Sequence, residues 1–307
     1  MSMSERAHLA SKILPVGRGK ELEYYEFGAE GRDAHPVIYH YGLPGSAYEA
    51  SLAHGLAEQL GVRIIAPNRP GCGASTFDPS RKLTDWPGVI LRLADALGVG
   101  RATVVGVSSG GAYACALGSL CPGRVAGIVL LSSLAPVGAP RVTLGMRSLN
   151  RLFCVLGRRF PELTHLPLHV LATWHRYDPS GLQRRFAGGF PASDRAVLAR
   201  PEVAAALDRA MEEALRQGTR GLAHDVNVVA GPWADLAGIT CPVRIIHGGQ
   251  DGIAPLAMAH HLRGLLPHAT LDVVPGAGHM LAADVGVLRE QLERTLSADV
   301  AGRGAAE

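Results

Sequence analysis

The chain has 307 residues, 47% of them hydrophobic and 19% charged, with 30 basic against 27 acidic side chains and a net charge of +3. This composition is globular, with apolar material for one large domain or for a core carrying an insertion, and no basic patch of the kind that binds nucleic acid or an anionic membrane stands out. The five cysteines are odd in number and include no C-x-x-C pair, which argues against a disulfide framework or a zinc site and for a reducing cytoplasm.

In chain order, the first 25 residues lack an apolar run suited to a signal peptide, and no later stretch is long enough to span a membrane. ELEYYEFG (21–28) predicts an early strand and PVIYHY (36–41) a second. A helical segment is expected over 46–60, then a short buried strand at VRIIAP (62–67) and a helix over 84–97. ATVVGV (102–107) predicts another strand, followed by a helix over 109–120 and the strand RVAGIVLLSS (124–133). After a long break come the strand PVRIIHG (242–248), a helix over 255–266, the strand TLDVVPG (270–276) and a helix over 284–296. Continuous Val/Ile/Leu runs of this kind suit parallel strands buried on both faces, and strand–helix alternation predicts a mostly parallel central sheet flanked by helices. SADVAGRGAAE at the end reads as a frayed tail.

The alternation breaks between 137 and 235, where no Val/Ile strand run occurs and helical patterns such as PEVAAALDRAMEEALRQG dominate. The expected organisation is a core of 1–136 and 236–307 carrying a mainly helical cap, or lid, over 137–235. The cap is expected to be separable, so that a short linker in its place leaves a folded core. It holds 13 arginines, no lysine and nine acidic residues. Its aromatics are Phe153, Phe160, Trp174, Tyr177, Phe186, Phe190 and Trp233, and some are expected to line an apolar pocket. Arg158, Arg159, Arg184 and Arg185 read as a solvated face rather than as a carboxylate-binding site.

One Gly-x-Ser-x-Gly is formed by Gly106, Ser108 and Gly110. In a chain with 38 glycines the pattern alone is weak, and context decides. Ser108 directly follows the run ATVVGV and opens the small-residue helix SGGAYACALG. That is the strand–turn–helix setting of a nucleophile elbow, where side chains two before and two after the serine would clash. The N–H of Ser109 and the positive end of the helix then face the place where negative charge develops. A serine hydroxyl also needs a base. His279, in PGAGHM after the last strand, and Asp251, in HGGQDGIAP after the strand before it, follow Ser108 in the order Ser, Asp, His. Asp251 also reads as a turn or cap residue before the next helix. His247, His260 and His261 read as structural or surface residues.

These pieces, with YGLPGS (41–46), NRPGCGAS (68–75) and LADALGVGRATVVGVSSGGAYACAL (93–117), resemble the α/β-hydrolase superfamily in its capped serine-hydrolase branch. The resemblance covers most of the chain outside the insertion. It implies a triad of Ser108, Asp251 and His279, an oxyanion hole formed by the N–H groups of Leu43 and Ser109, and no metal or organic cofactor. Two departures stand out: Tyr41 replaces the histidine expected before Gly42, with His40 one place earlier, and Asn68 replaces an aspartate common before Arg-Pro-Gly. The expected activity is hydrolysis of an ester, lactone or thioester of a small, largely apolar molecule, in the cytoplasm, with neither nucleic acid nor membrane as a partner. The same triad supports acyl transfer, cyclisation, perhydrolysis or C–C cleavage, and a ligand-binding receptor on a hydrolase scaffold is the reading from a different class.

Overall fold

The computed structural model describes residues 10–31, 33–284 and 286–294; residues 1–9 and the predicted tail lie outside them, as do the side chains of Ser180, Gln183 and Phe186. Each Val/Ile run becomes a strand because its alternate residues find an apolar layer on either face. The strands are β1 (Lys12–Gly17), β2 (Lys20–Gly28), β3 (His35–His40), β4 (Val62–Pro67), β5 (Ala102–Val107), β6 (Val125–Leu131), β7 (Val243–Gly248) and β8 (Ala269–Val274). They form one sheet in the order β1-β2-β4-β3-β5-β6-β7-β8. From β4 through β8 every neighbouring pair is parallel, while β2 runs antiparallel to both β1 and β4.

The core helices are α1 (His54–Gln59), α2 (Trp86–Ala96) and α3 (Gly110–Leu120). On one face Val104, Ile128, Leu130 and Ile245 pack with Ile90 and Leu93 of α2 and with small residues of α3. On the other face Val105, Val129, Leu131 and Ile246 pack with Leu56 of α1 and with Leu288 and Leu292. The register partners Val104↔Ile128 and Val105↔Val129 keep the two sets on opposite faces across adjacent strands.

Two local expectations change. Strand β1 had no sequence counterpart, because KILPVG carries a proline and no clean alternation; the sheet tolerates it as an edge strand whose register shifts after Pro15. The helix expected over 46–60 is a 3-10 segment, Ala47–Ala53, running into the short α1.

Between β6 and β7 lie α4 (Ser148–Arg159), α5 (His165–Tyr177), α6 (Pro179–Ala187), α7 (Ala192–Leu198), α8 (Pro201–Ala214) and α9 (Arg220–Ala230), and no strand occurs there among the described residues. Helix α4 packs on α9, and α8 packs on the 3-10 segment that follows β3. Leu168 of α5 and Leu222 and Ala223 of α9 share the apolar layer that holds α1. After β7 comes α10 (Leu256–Leu265), and after β8 a helix α11 over 286–294.

Candidate active site

The carboxyl ends of β3, β5, β7 and β8 open onto one place, as open parallel sheets arrange their sites. Leaving β5, the chain turns so sharply that Ser108 takes φ +52°, a left-handed conformation costly for a residue with a side chain. Its N–H donates to the Leu131 carbonyl at 2.9 Å, tying the turn to β6. The glycines follow from crowding. A Cβ on Gly106 would lie 2.7 Å from Gly111 Cα, and one on Gly110 would collide with the His40 carbonyl at the end of β3. Helix α3 starts at Gly110, so its positive end adjoins Ser108.

Asp251 sits after β7 and uses its two carboxylate oxygens differently. Oδ1 accepts the N–H groups of Ile253 and Ala254 at 2.8 and 2.9 Å, building the turn into α10. Oδ2 meets His279 Nδ1 at 2.7 Å. His279, delivered by the loop after β8, reaches Ser108 Oγ with Nε2 at 3.0 Å. A carboxylate at Nδ1 places the imidazole proton there and leaves the Nε2 lone pair aimed at the serine hydroxyl. All three residues are buried. Burial alone would depress the His279 pKa, but Asp251, by charge and hydrogen bond, together with Asp194 and Glu49, outweighs it and raises it.

His247 lies beside the site, with Nε2 3.5 Å from Asp251 Oδ2. His247 is fully buried and bonded through Nε2 to the Ala254 carbonyl at 2.6 Å, with burial pushing its pKa down. His260 and His261 lie on α10, His260 exposed.

The loop after β3 forms the opposite wall. Arg69 donates to the carbonyls of Tyr41 and Gly42 at 2.8 and 3.1 Å and stacks its guanidinium 3.6 Å from the Tyr41 ring centroid. The Tyr41 hydroxyl accepts the Arg69 N–H at 3.0 Å. Tyr41 is therefore an anchor for the loop. His40 does not stand in for a motif histidine: it packs between Trp86 and Tyr113, and burial drives its pKa down to about 3. Asn68 is explained by Glu23. Its Nδ2 donates to Glu23 Oε2 at 2.7 Å while its Oδ1 accepts the Ala47 N–H at 2.8 Å, a pairing that an aspartate could not make. Arg69 is in turn held by Asp225 of α9, which also binds Arg81 and the Tyr113 hydroxyl.

Leu43, Ser108 and Ser109 line one cavity of about 120 Å³. Its remaining walls are mostly apolar: Leu134 and Ile253 from the core loops, Val137 and Met146 from the start of the insertion, Leu149 and Phe153 of α4, Leu168 and Leu171 of α5, and Leu222, Val226 and Val229 of α9. Of the insertion's aromatics, Phe153 reaches the cavity. Tyr177 is 82% exposed, Phe190 packs under Arg147, and Trp233 donates to the Val229 carbonyl. The predicted arginine face is exposed at Arg158, Arg159, Arg184 and Arg185.

One contact had no sequence signal. Asp194, on α7, accepts the backbone N–H groups of Gly278 at 3.0 Å and His279 at 2.7 Å. PASDRAVL reads as an ordinary helix start, and the partners lie 84 and 85 positions away.

No group of three or more His, Cys, Asp or Glu suited to a metal ion occurs among the described residues, and none of their helices is long and apolar enough to cross a membrane.

Comparison with known proteins agrees with this architecture. The sequence model of the family described as alpha/beta hydrolase fold matches residues 35–284. A non-heme chloroperoxidase of Burkholderia pyrrocinia is 28% identical over 291 residues, covering 89% of this chain and 94% of that one. A 2-hydroxymuconate semialdehyde hydrolase of Pseudomonas putida is 27% identical over 270 residues, covering 81% and 82%. The enol-lactonase from Burkholderia xenovorans LB400 superposes with a TM-score of 0.69 at 18% identity, covering 92% of this chain and 99% of that one, a likeness of fold alone.

Proposed function

The chain belongs to the α/β hydrolase fold family and is an enzyme of that fold, and from this premise we propose that it is a serine hydrolase cleaving an ester-type bond of a small, largely apolar molecule. The observation that carries the reading is the continuous chain Asp251–His279–Ser108, with spacings of 2.7 and 3.0 Å, whose Ser108 end lines a mostly apolar cavity. His279 Nε2 takes the Oγ proton as Ser108 attacks the carbonyl carbon, and Asp251 stabilises the imidazolium that results. The N–H groups of Leu43 and Ser109 receive the oxyanion. His279 returns the proton to the leaving alcohol or thiol. It then deprotonates a water that attacks the acyl carbon, and finally reprotonates Ser108 as the acid departs. The helices between β6 and β7 act as a lid whose apolar side chains select the acyl group.

A second reading keeps the acyl-enzyme and changes the acceptor. The chloroperoxidase among the relatives favours hydrogen peroxide in place of water, giving a peracid. Product analysis with and without peroxide separates the two.

The test is a fluorophosphonate probe followed by peptide mapping. Labelling is expected at Ser108 alone, lost in Ser108→Ala and slowed by orders of magnitude in His279→Ala. Asp251→Asn is expected to cost on the order of 10⁴, as the equivalent change does in serine proteases, because it inverts the histidine tautomer. A folded protein that binds apolar ligands yet is never labelled makes the receptor reading the right one.

A further inference from the structure

We infer that Asp194 is a positioning residue for His279, through which helix α7 of the inserted segment holds the histidine loop in its working geometry. The inference rests on the reading of His279 as general base.

The loop from Pro275 to His279 has no strand or helix of its own to fix it. Its backbone is held at Ala277, whose carbonyl accepts the Gln250 N–H at 2.8 Å, and on either side of that residue from α7. Asp194 uses one carboxylate oxygen on the Gly278 N–H and the other on the His279 N–H, and Ser193 Oγ donates to the Gly276 carbonyl at 2.9 Å. Asp194 is 2% exposed, so these bonds are shielded from water. A buried carboxylate must be fully satisfied by donors, and here both oxygens are spent on the histidine loop rather than on capping α7, whose N-cap is Pro191 without a side-chain bond. The approach is close enough to dictate the sequence opposite: a Cβ on Gly278 would run into the Asp194 carboxylate and to within 2.5 Å of Pro191 Cγ. The glycine before His279 is therefore required by a residue of the insertion.

The second consequence is electrostatic. The charged or titratable groups facing His279 are Asp251 and His247 from β7 and its following loop, Glu49 from the 3-10 segment after β3, and Asp194 from α7. Asp251 holds the ring directly, and Asp194 adds a fixed negative charge beside the backbone of the same residue. The carboxylate favours the imidazolium, the species formed when Ser108 gives up its proton. Displacing α7 removes a backbone restraint and a stabilising charge together.

The experiment compares wild type with Asp194→Asn and Asp194→Ala on a small activated ester across pH, with thermal unfolding as the check on fold. Asp194→Asn keeps the shape and one acceptor but loses the charge. It is expected to lower kcat tenfold to about a hundredfold, as misplacement of a catalytic group by an ångström or less does, while KM barely moves. The acid limb of the kcat/KM profile is expected to shift to lower pH, because one of the charges that, after Asp251, raise the His279 pKa is gone. General damage to the fold lowers the plateau without moving the limb in that direction. A second measurement reads the same shift without turnover: the His279 imidazole titrated by NMR in the Ser108→Ala background should have a lower midpoint when Asp194 is also replaced by Asn. Wild-type kcat with an unmoved acid limb and titration in folded Asp194→Asn overturns the inference while leaving the general base intact. Wild-type protein without any Ser108-dependent turnover overturns the parent reading instead.

Discussion

Replacing Asp225 with alanine tests how the inserted helices are tied to the site. The carboxylate is 2% exposed and receives Arg69 Nε on one oxygen, and Arg81 Nη2 and the Tyr113 hydroxyl on the other. Arg69 and Arg81 are themselves buried, so the substitution leaves two guanidinium groups without their counter-charge. Breaking a buried pair from one side costs about 3–5 kcal/mol, because the desolvated partner is stranded. Arg69 keeps the carbonyls of Tyr41 and Gly42, and Arg81 keeps the Tyr113 hydroxyl, which holds the loss within that range. Against a total stability of roughly 5–15 kcal/mol this is a large fraction. At roughly 2–4 °C per kcal/mol it lowers Tm by about 6–20 °C. Urea unfolding of wild type, Asp225→Ala, Arg81→Met and the double variant measures the coupling directly, and the double variant is expected to recover part of the loss. Burial alone would raise the Asp225 pKa, but Arg69 and Arg81 outweigh it and hold it below the usual value. The network's contribution is thus full above the unfolded-state carboxylate pKa and disappears as pH falls through the folded one. A single variant within about 0.5 kcal/mol of wild type, the range of an exposed substitution, refutes the reasoning.

Two further outcomes follow from the geometry. Because His279 acts only when neutral and its pKa is raised, kcat/KM should climb with pH through an ionisation above the usual histidine value of about 6.5; a pH–rate profile with its midpoint below that value contradicts the placement of Asp251 and Asp194. Asn68→Asp should set two buried carboxylates against each other at Glu23, costing about 1–3 kcal/mol and more at pH 8 than at pH 5, where one of them takes up a proton; urea midpoints that fall equally at both pH values speak against it.

The placement of Ser108, Asp251 and His279 was legible because Ser108 directly follows an apolar strand run and the other two stand in the short glycine-containing loops after theirs, so local pattern put all three at strand ends. The elbow glycines were legible for the same reason: their constraint comes from neighbours two positions away and from the adjoining strand. What stayed hidden depends on partners distant in the chain. Nothing near Asp194 points to residues 278 and 279, and nothing near Arg69 points to Asp225, 156 positions on. Asn68 looked like a departure from a family pattern and is instead one half of a pair with Glu23, 45 positions earlier. Strand β1 was missed because an edge strand needs only one partner, and Pro15 obscures what pattern it has. Cavity composition was only half visible: the aromatics drew notice by type, yet Phe153 is the one aromatic in the lining, which branched aliphatics of α5 and α9 share with α4 and the strand-end loops, and helical spacing alone cannot say which apolar face looks inward over a site.

These hidden partners also bear on whether the insertion is a removable module. An uninterrupted strand–helix pattern on either side of 137–235 suggests that a short linker could replace it. The buried polar contacts point the other way. Asp225 neutralises Arg69 and Arg81; Glu213 accepts the hydroxyls of Tyr25 and Ser46, its backbone carbonyl accepts the Gly73 N–H at 3.0 Å, and Gln217 donates to the carbonyls of Gly73 and Ser75. Excision removes every one of these acceptors and donors and leaves their core partners behind, along with the uncovered apolar residues of the cavity floor. Each partner that stays buried without its hydrogen bond costs about 1–3 kcal/mol, and a few of these are a large share of a stability of roughly 5–15 kcal/mol. The linker variant is therefore expected to be insoluble or to lack a cooperative unfolding transition. The same excision carrying Arg69→Met and Arg81→Met should be measurably more soluble, since it removes the two stranded charges. A linker variant of the unaltered core that unfolds cooperatively and still takes a fluorophosphonate at Ser108 would mean that the core satisfies its own buried groups, and that the insertion rests on the sheet without holding it together.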